Sequence, residues 1–155
     1  MLKRLLITGA AGALGSHCRQ NLGHIAETVR VSDIADLGAA APHEEIVQAD
    51  LSDRSAVISL VEGCDGIVHF GGKGNEGEWS VVRDANIEGM YNLYEAARQS
   101  GCRRIFYPSS IHAVGYHPVT ANLDETISIR PDTLYGVSKA FGEALARFYF
   151  EKFGI

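Results

Sequence analysis

The chain has 155 residues, of which 46% are hydrophobic and 21% charged, with a formal net charge of −5. That is the size and composition of one ordinary soluble globular domain, long enough to bury a core. No Lys/Arg run exceeds two residues, so no basic face for nucleic acid is expected, and no apolar run approaches the ~18 residues that a membrane span needs. Cys18, Cys64 and Cys102 are odd in number, widely spaced and set in apolar stretches, as expected of buried thiols in a reducing compartment. With no signal-like segment, the cytoplasm is the expected location. His112 and His117 have no Cys or carboxylate at ligand spacing, so no metal site is expected.

In chain order, residues 3–8 read as a short apolar strand. They run into Thr8-Gly9-Ala10-Ala11-Gly12-Ala13-Leu14-Gly15-Ser16, followed by a helix over 14–22 with Leu14, Cys18 and Leu22 along one face. A second strand spans 28–32 and ends at Asp33. Residues 34–43 read as a connection or a short irregular helix, and 45–49 as a third strand ending at Asp50-Leu51. Ser52 is the expected N-cap of a helix reaching about residue 62, with Val57, Leu60 and Val61 as its buried stripe. Gly63-Cys64-Asp65-Gly66 breaks that helix, and 67–70 form a fourth, wholly apolar strand of the kind a parallel sheet buries on both faces.

The loop over 71–77 holds four glycines at the carboxyl end of that strand, where open α/β sheets bind their ligands. A long helix over 80–100 follows, with Val81, Ile87, Met90, Leu93, Tyr94 and Ala97 at helical spacing and Gly101 as its stop. Residues 104–107 form a fifth strand closed by Pro108. Residues 109–130 are irregular, and a loop of that length is usually functional. Asp132 or Thr133 opens a last helix to about residue 153, with Phe141, Leu145, Phe148 and Tyr149 on one side. Five strands alternating with helices imply an α/β fold. The expected form is a Rossmann-type doubly wound parallel sheet of order 3-2-1-4-5, with its switch point between strands one and four.

A strand turning through glycines into a helix presents bare amides and the positive end of a helix dipole to the same spot, which suits a pyrophosphate. Gly9 makes the turn, Gly12 lets phosphates approach, and Gly15 lets helix and strand pack closely. The spacing is G-x-x-G-x-x-G, not G-x-G-x-x-G. Asp33 follows Gly15 by 18 residues, the place of an acid that binds adenosine ribose hydroxyls and repels the extra phosphate of NADP, so NAD is the expected cofactor. The plainer alternative is that Asp33 caps a turn.

Tyr135-Gly136-Val137-Ser138-Lys139 places a phenol and an ammonium four apart on one helix face. A nearby cation favours the phenolate, so Tyr135 can take a hydroxyl proton as hydride leaves the carbon, while Lys139 also holds nicotinamide ribose hydroxyls. Ser110 ends the fifth strand 25 residues earlier, where its hydroxyl can bond the reacting oxygen. Alternatively, Tyr135 and Lys139 are an incidental i,i+4 pair.

Thr8-Gly9-x-x-Gly12-x-x-Gly15, Asp33, Asp50-Leu51, His69-Phe70-Gly71-Gly72, Asn86, Ser109-Ser110 and Tyr135-x-x-x-Lys139 together resemble the extended short-chain dehydrogenase/reductase superfamily (NAD-dependent epimerases and dehydratases) over the whole chain. Within it, Asp65-Gly66-Ile67-Val68-His69, the Asn86–Arg98 segment and Arg130–Lys139 are most similar to uronate dehydrogenases, which oxidise an aldohexuronic acid to its aldarolactone with NAD. The resemblance implies one NAD(P)-binding Rossmann domain over 1–155, with a Ser110, Tyr135 and Lys139 catalytic triad. It implies cofactor contacts from Gly9, Ala11, Gly12, Ala13, Leu14, Gly15, Asp33, Ile34, Asp50, Leu51, Phe70, Gly71, Gly72, Asn86, Tyr135 and Lys139. Lys73, Asn75, Ser110, Ile111 and His112 would lie at a sugar or sugar-acid substrate.

Two positions depart from the uronate pattern. Ile111 stands where those enzymes carry a sugar-binding asparagine, and Lys73-Gly74-Asn75-Glu76 replaces a serine-bearing stretch. Such changes shift substrate selectivity. The family continues into a sixth strand and a substrate subdomain, so this chain is expected to be the C-terminally truncated front part of a longer fold. An open sheet edge would then favour a homo-oligomer. A nucleotide-sugar epimerase or dehydratase, which keeps its NAD through the cycle, shares the same motifs. A dinucleotide-binding module without turnover is the reading from another class.

Overall fold

The computed structural model describes all residues 1–155. Its strands are β1 (Leu2–Thr8), β2 (Ala26–Ser32), β3 (Glu44–Ile46), β4 (Gly66–His69) and β5 (Ile105–Phe106), all parallel, in the order β3-β2-β1-β4-β5. The order reverses direction at β1, so the carboxyl ends of β1 and β4 flank the crevice in which such sheets take ligands. The helices are α1 (Ala13–Asn21), α2 (Arg54–Val61), α3 (Trp79–Val82), α4 (Gly89–Ser100) and α5 (Leu134–Phe153), with a π-helical segment over Arg83–Glu88 joining α3 to α4.

Alternation along β1 divides the core. Leu6 joins Val57, Leu60 and Val61 of α2 and Leu93, Ala96 and Ala97 of α4 on one face of the sheet. Leu5 and Ile7 join Val29 and Val31 on the other, against Cys18 and Leu22. A third cluster, Met90, Tyr94 and Tyr149, docks α5 onto α4. Cys64 and Cys102 are buried, and Cys18 is partly so.

Several local expectations are corrected. Leu14 does not share the core face with Cys18 and Leu22; it is 62% exposed in the first turn of α1. Beyond Ile46 the chain stays beside β2 without a regular ladder, held by Val47 N–H to the Val31 oxygen at 3.0 Å and Ala49 N–H to the Asp33 oxygen at 3.3 Å. Asp53, not Ser52, caps α2, accepting from the Ser55 and Ala56 amides. Ser52 is already engaged, since its amide and hydroxyl both donate to Asp50 Oδ1 at 2.8 Å.

Val81 is 49% exposed while Val82 is fully buried. The π turn that follows changes the phase of the helix, so the single run of 3.6-residue spacing expected from residue 80 to 100 does not hold across it. The fifth strand keeps only two residues of the expected four, and Phe148 on α5 is 48% exposed beside the buried Tyr149.

One polar pair lies inside this core. Thr8 Oγ1 accepts from the Gly71 amide at 3.2 Å and is hydrogen-bonded to His69 Nδ1 at 2.7 Å. Burial, with the Lys139 cation adding to it, pushes the His69 imidazole down to about 3. A depressed imidazole contributes stability that is fully present above the unfolded value of ~6.5 and is lost as pH falls toward the folded value. Stability of the parent chain, measured by urea unfolding, is therefore expected to fall between pH 6.5 and 4.5 (rough bounds set by ordinary imidazole and carboxylate ionisation). His69→Asn, which keeps a hydrogen-bonding amide near the place of Nδ1, should flatten that slope.

Candidate functional site

The site begins where β1 ends. The chain turns through Gly9 at φ +68°, and a Cβ there would lie 2.5 Å from the Phe70 carbonyl carbon. Only glycine lets the ends of β1 and β4 converge in this way. A Cβ on Gly15 would lie 2.0 Å from the Gly9 oxygen, so the first turn of α1 is pressed onto the turn itself. Gly12 precedes α1 and supplies no side-chain cap, leaving the first helical amides to a ligand or solvent. A Cβ on Gly12 would approach nothing nearer than the Gly9 oxygen at 3.3 Å.

This turn opens into a groove of about 630 Å³ lined by Gly9, Ala11, Gly12, Asp33, Ile34, Asp50 and Leu51 on one side and by Val81, Asp84 and Ala85 on the other. Through Gly9, Gly12, Phe70, Gly71, Gly72 and Lys73 it continues into a second space of about 430 Å³. Ala13, Leu14, Gly15, Asn86, Tyr135 and Lys139 line that second space, with His69, Met90, Tyr107, Pro108 and Ser109. Asp33 Oδ2 accepts from the Ala11 amide at 2.9 Å, and Oδ1 from Ala35 N–H at 3.1 Å. It thus braces the glycine turn from the end of β2 and also closes its own turn.

Asn86 lies on the π-helical segment and joins three parts of the site. Its Oδ1 accepts from Lys73 N–H at 2.7 Å, and its Nδ2 donates to the Lys73 oxygen at 3.0 Å and to Ser138 Oγ at 2.9 Å. Ser138 Oγ in turn donates to the Tyr135 carbonyl at 2.7 Å. From the same loop Glu76 Oε2 accepts the Tyr135 amide at 3.2 Å. The glycine-rich loop is therefore tied at two points to the helix that carries Tyr135.

Thr133 Oγ1 caps α5 by accepting Gly136 N–H at 2.8 Å, which fixes the first turn where Tyr135 stands. One turn later Lys139 Nζ donates to the Pro108 carbonyl at 2.9 Å and lies 4.5 Å from the centre of the Tyr107 ring and 5.6 Å from that of Tyr135. Burial pulls the Lys139 ammonium below its ordinary pKa. His112 meets the Tyr135 ring edge-on, with ring centres 5.8 Å apart, and its Nδ1 lies 2.9 Å from Asp132 Oδ1.

Every residue expected at the cofactor lines this continuous groove, and so does Lys73. Ser110, Ile111, His112 and Asn75 do not line it. Ser110 Oγ accepts His112 N–H at 3.2 Å, Ile111 is 77% exposed, and Asn75 is exposed in its loop. The neighbouring Ser109 lines the groove, with its hydroxyl donating to Glu143 Oε1. Sequence reasoning missed Tyr107 and Pro108, whose ring face and carbonyl hold Lys139, and the Val81–Ala85 wall, which runs into the π turn.

Residues 5–155 match the NAD dependent epimerase/dehydratase family. The chain is 54% identical over 153 residues to a uronate dehydrogenase of Agrobacterium fabrum, covering 99% of this chain and 58% of that protein. A glucuronic acid dehydrogenase structure from Chromohalobacter salexigens is 56% identical with a TM-score of 0.97, covering 100% of this chain and 58% of that one. A mutant uronate dehydrogenase from Agrobacterium tumefaciens, complexed with NAD, is 53% identical with a TM-score of 0.96, covering 98% and 57%. The chain thus spans little more than half the length of these relatives. Its fold, its groove and these likenesses agree, and the chain belongs to the NAD dependent epimerase/dehydratase family.

Proposed function

We propose that the chain binds NAD along the groove and is the cofactor-binding part of a dehydrogenase that oxidises a sugar acid, with uronate to aldarolactone as the favoured reaction. The observation that carries this reading is the continuity of the groove from Asp33 at one end to Tyr135 and Lys139 at the other. The residues fit a dinucleotide: the glycine turn leaves uncapped amides for the diphosphate, and Asp33 offers a carboxylate to the adenosine ribose. Bound there, NAD supplies the hydride acceptor.

The remaining chemistry belongs to this chain. Tyr135, as the phenolate, takes the proton from the substrate hydroxyl, and the Lys139 cation beside its ring stabilises that phenolate before the transfer. Ser110, on the turn that also carries His112, hydrogen-bonds the reacting oxygen. Lys73, which lines the groove, and Asn75 of the same glycine-rich loop are assigned to the substrate as well. Ile111 offers no side-chain hydrogen bond, so polar recognition of the sugar falls to its neighbours. Net NADH formation with galacturonate or glucuronate tests the reaction, whereas an epimerase or dehydratase would release none.

Three outcomes are expected. Asp33→Asn should weaken NAD binding roughly tenfold, as loss of a charge-assisted hydrogen bond does, and should narrow the preference over NADP, both read by calorimetry. Tyr135→Phe should leave NAD affinity unchanged while lowering NADH formation by about a hundredfold or more. β5 is paired on one side only and carries Phe106 at 58% exposure, so the chain should self-associate through that edge. A monomeric mass by light scattering at micromolar concentration would count against that assembly.

A further inference from the structure

The turn after β5 and the segment before α5 are laced together more tightly than a connecting loop requires. Asp132 N–H donates to the His112 oxygen at 3.3 Å, Arg130 N–H to the Ala113 oxygen at 3.0 Å, and Tyr116 N–H to the Arg130 oxygen at 2.9 Å. Gly136 packs against the same turn, since a Cβ there would lie 2.1 Å from the His112 oxygen. Within this lacing sits the His112–Asp132 pair, 2.9 Å between Nδ1 and Oδ1. Asp132 Oδ1 also accepts Thr133 Oγ1 at 3.3 Å, and Oδ2 fills the space that a side chain at Gly115 would need, 2.2 Å from where its Cβ would stand. The carboxylate is thus held from both sides.

We propose that Asp132 is a positioning residue that fixes His112 in the tautomer protonated on Nδ1, so that the bare Nε2 beside Tyr135 accepts a hydrogen bond from a substrate hydroxyl and turns away a substrate carboxylate. This rests on the reading that the space next to Tyr135 receives the sugar acid. The hydrogen bond from His112 holds the Asp132 carboxyl below the usual carboxylate range, and an ionised carboxylate only accepts. Nδ1 must therefore donate, and in the neutral ring Nε2 is left with its lone pair. Nε2 has no partner within the chain, and the side chain is 43% exposed. The substrate carboxylate must then be met elsewhere, and His112 selects for a hydroxyl at the position it faces.

The chain labelled with ¹⁵N-histidine decides this by long-range proton–nitrogen correlation at about pH 8, above the ordinary imidazole range, with His112 assigned from the signals lost in His112→Gln. A protonated-type Nδ1 and a bare-type Nε2 for His112 are expected in the parent without any ligand. Asp132→Asn and, separately, Gly115→Ala should move both His112 nitrogens toward a common averaged position and leave His69 unchanged. A parent His112 that is protonated on Nε2, or already averaged, overturns the inference whatever the variants do. With NAD present, galacturonate or glucuronate should move the Nε2 signal of His112 in the direction of an accepted hydrogen bond. If neither does while the tautomer stands as stated, the acceptor role is overturned along with the sugar-acid reading, and only the positioning by Asp132 survives.

Discussion

The close approach of two strand ends sets everything else in this molecule. Gly9 lies so near the Phe70–Gly71 backbone that no side chain fits between them. Because of that contact, the turn into α1 and the loop after β4 face each other across a narrow crevice instead of diverging. Thr8 and His69, paired at 2.7 Å directly beneath, tie the same two strand ends from within the core. A buried neutral histidine is costly to charge, so the tie holds at neutral pH and weakens only in acid. The crevice is thus a consequence of β-sheet order, one missing side chain and one buried hydrogen bond.

Above the crevice, the two walls are joined by polar contacts that the core does not supply. Asn86 satisfies both backbone groups of Lys73 and reaches Ser138 under Tyr135. A side chain can span these parts because the π-helical segment widens the turn on which it sits. Such turns are locally weak, since their geometry sacrifices regular i to i−4 bonding, and they persist where the freed side chain gains partners. Here the partners are a loop at the groove and the helix carrying the phenol, so the irregularity serves the site and not the core.

These origins explain what the sequence disclosed and what it withheld. The three glycines, Asp33 and the Tyr135–Lys139 spacing are local patterns whose geometry follows from a strand, a turn or one helical turn, and each came out where periodicity placed it. Crossover handedness left few topologies, and the doubly wound order expected among them is the one observed. The break in helical spacing after Val82 comes from a π turn that has no compositional signature. The capping of α2 turned on a contest between Asp50 and Asp53 for Ser52 and the helix amides, which spacing alone leaves open. Tyr107 and Pro108 hold Lys139 from across 31 residues of chain, a contact that only the packed fold creates. The sequence also places Ser110 and His112 at the reacting centre, whereas the structure sets them on the turn beside the groove and not in its lining.

The environment of Lys139 bears on how such a site would hold its base ready. Its ammonium is half-hidden between the Tyr107 face and the Pro108 carbonyl, neither of which carries a full negative charge, and burial lowers its pKa accordingly. A desolvated cation lacking an anionic partner is destabilised while the neighbouring phenol remains neutral. Ionisation of Tyr135 to the phenolate would relieve that penalty, because the missing partner then forms 5.6 Å away, measured to the ring centre, in surroundings that screen poorly. In the proposed reaction the gain would come before the transfer, by supplying the base form of Tyr135 that takes the substrate proton. A fully solvated lysine at the same distance would offer much less, since water would already have stabilised its charge. In the proposed reaction, the partial burial that Tyr107 and Pro108 impose is therefore as much a part of the chemistry as the spacing between the phenol and the ammonium.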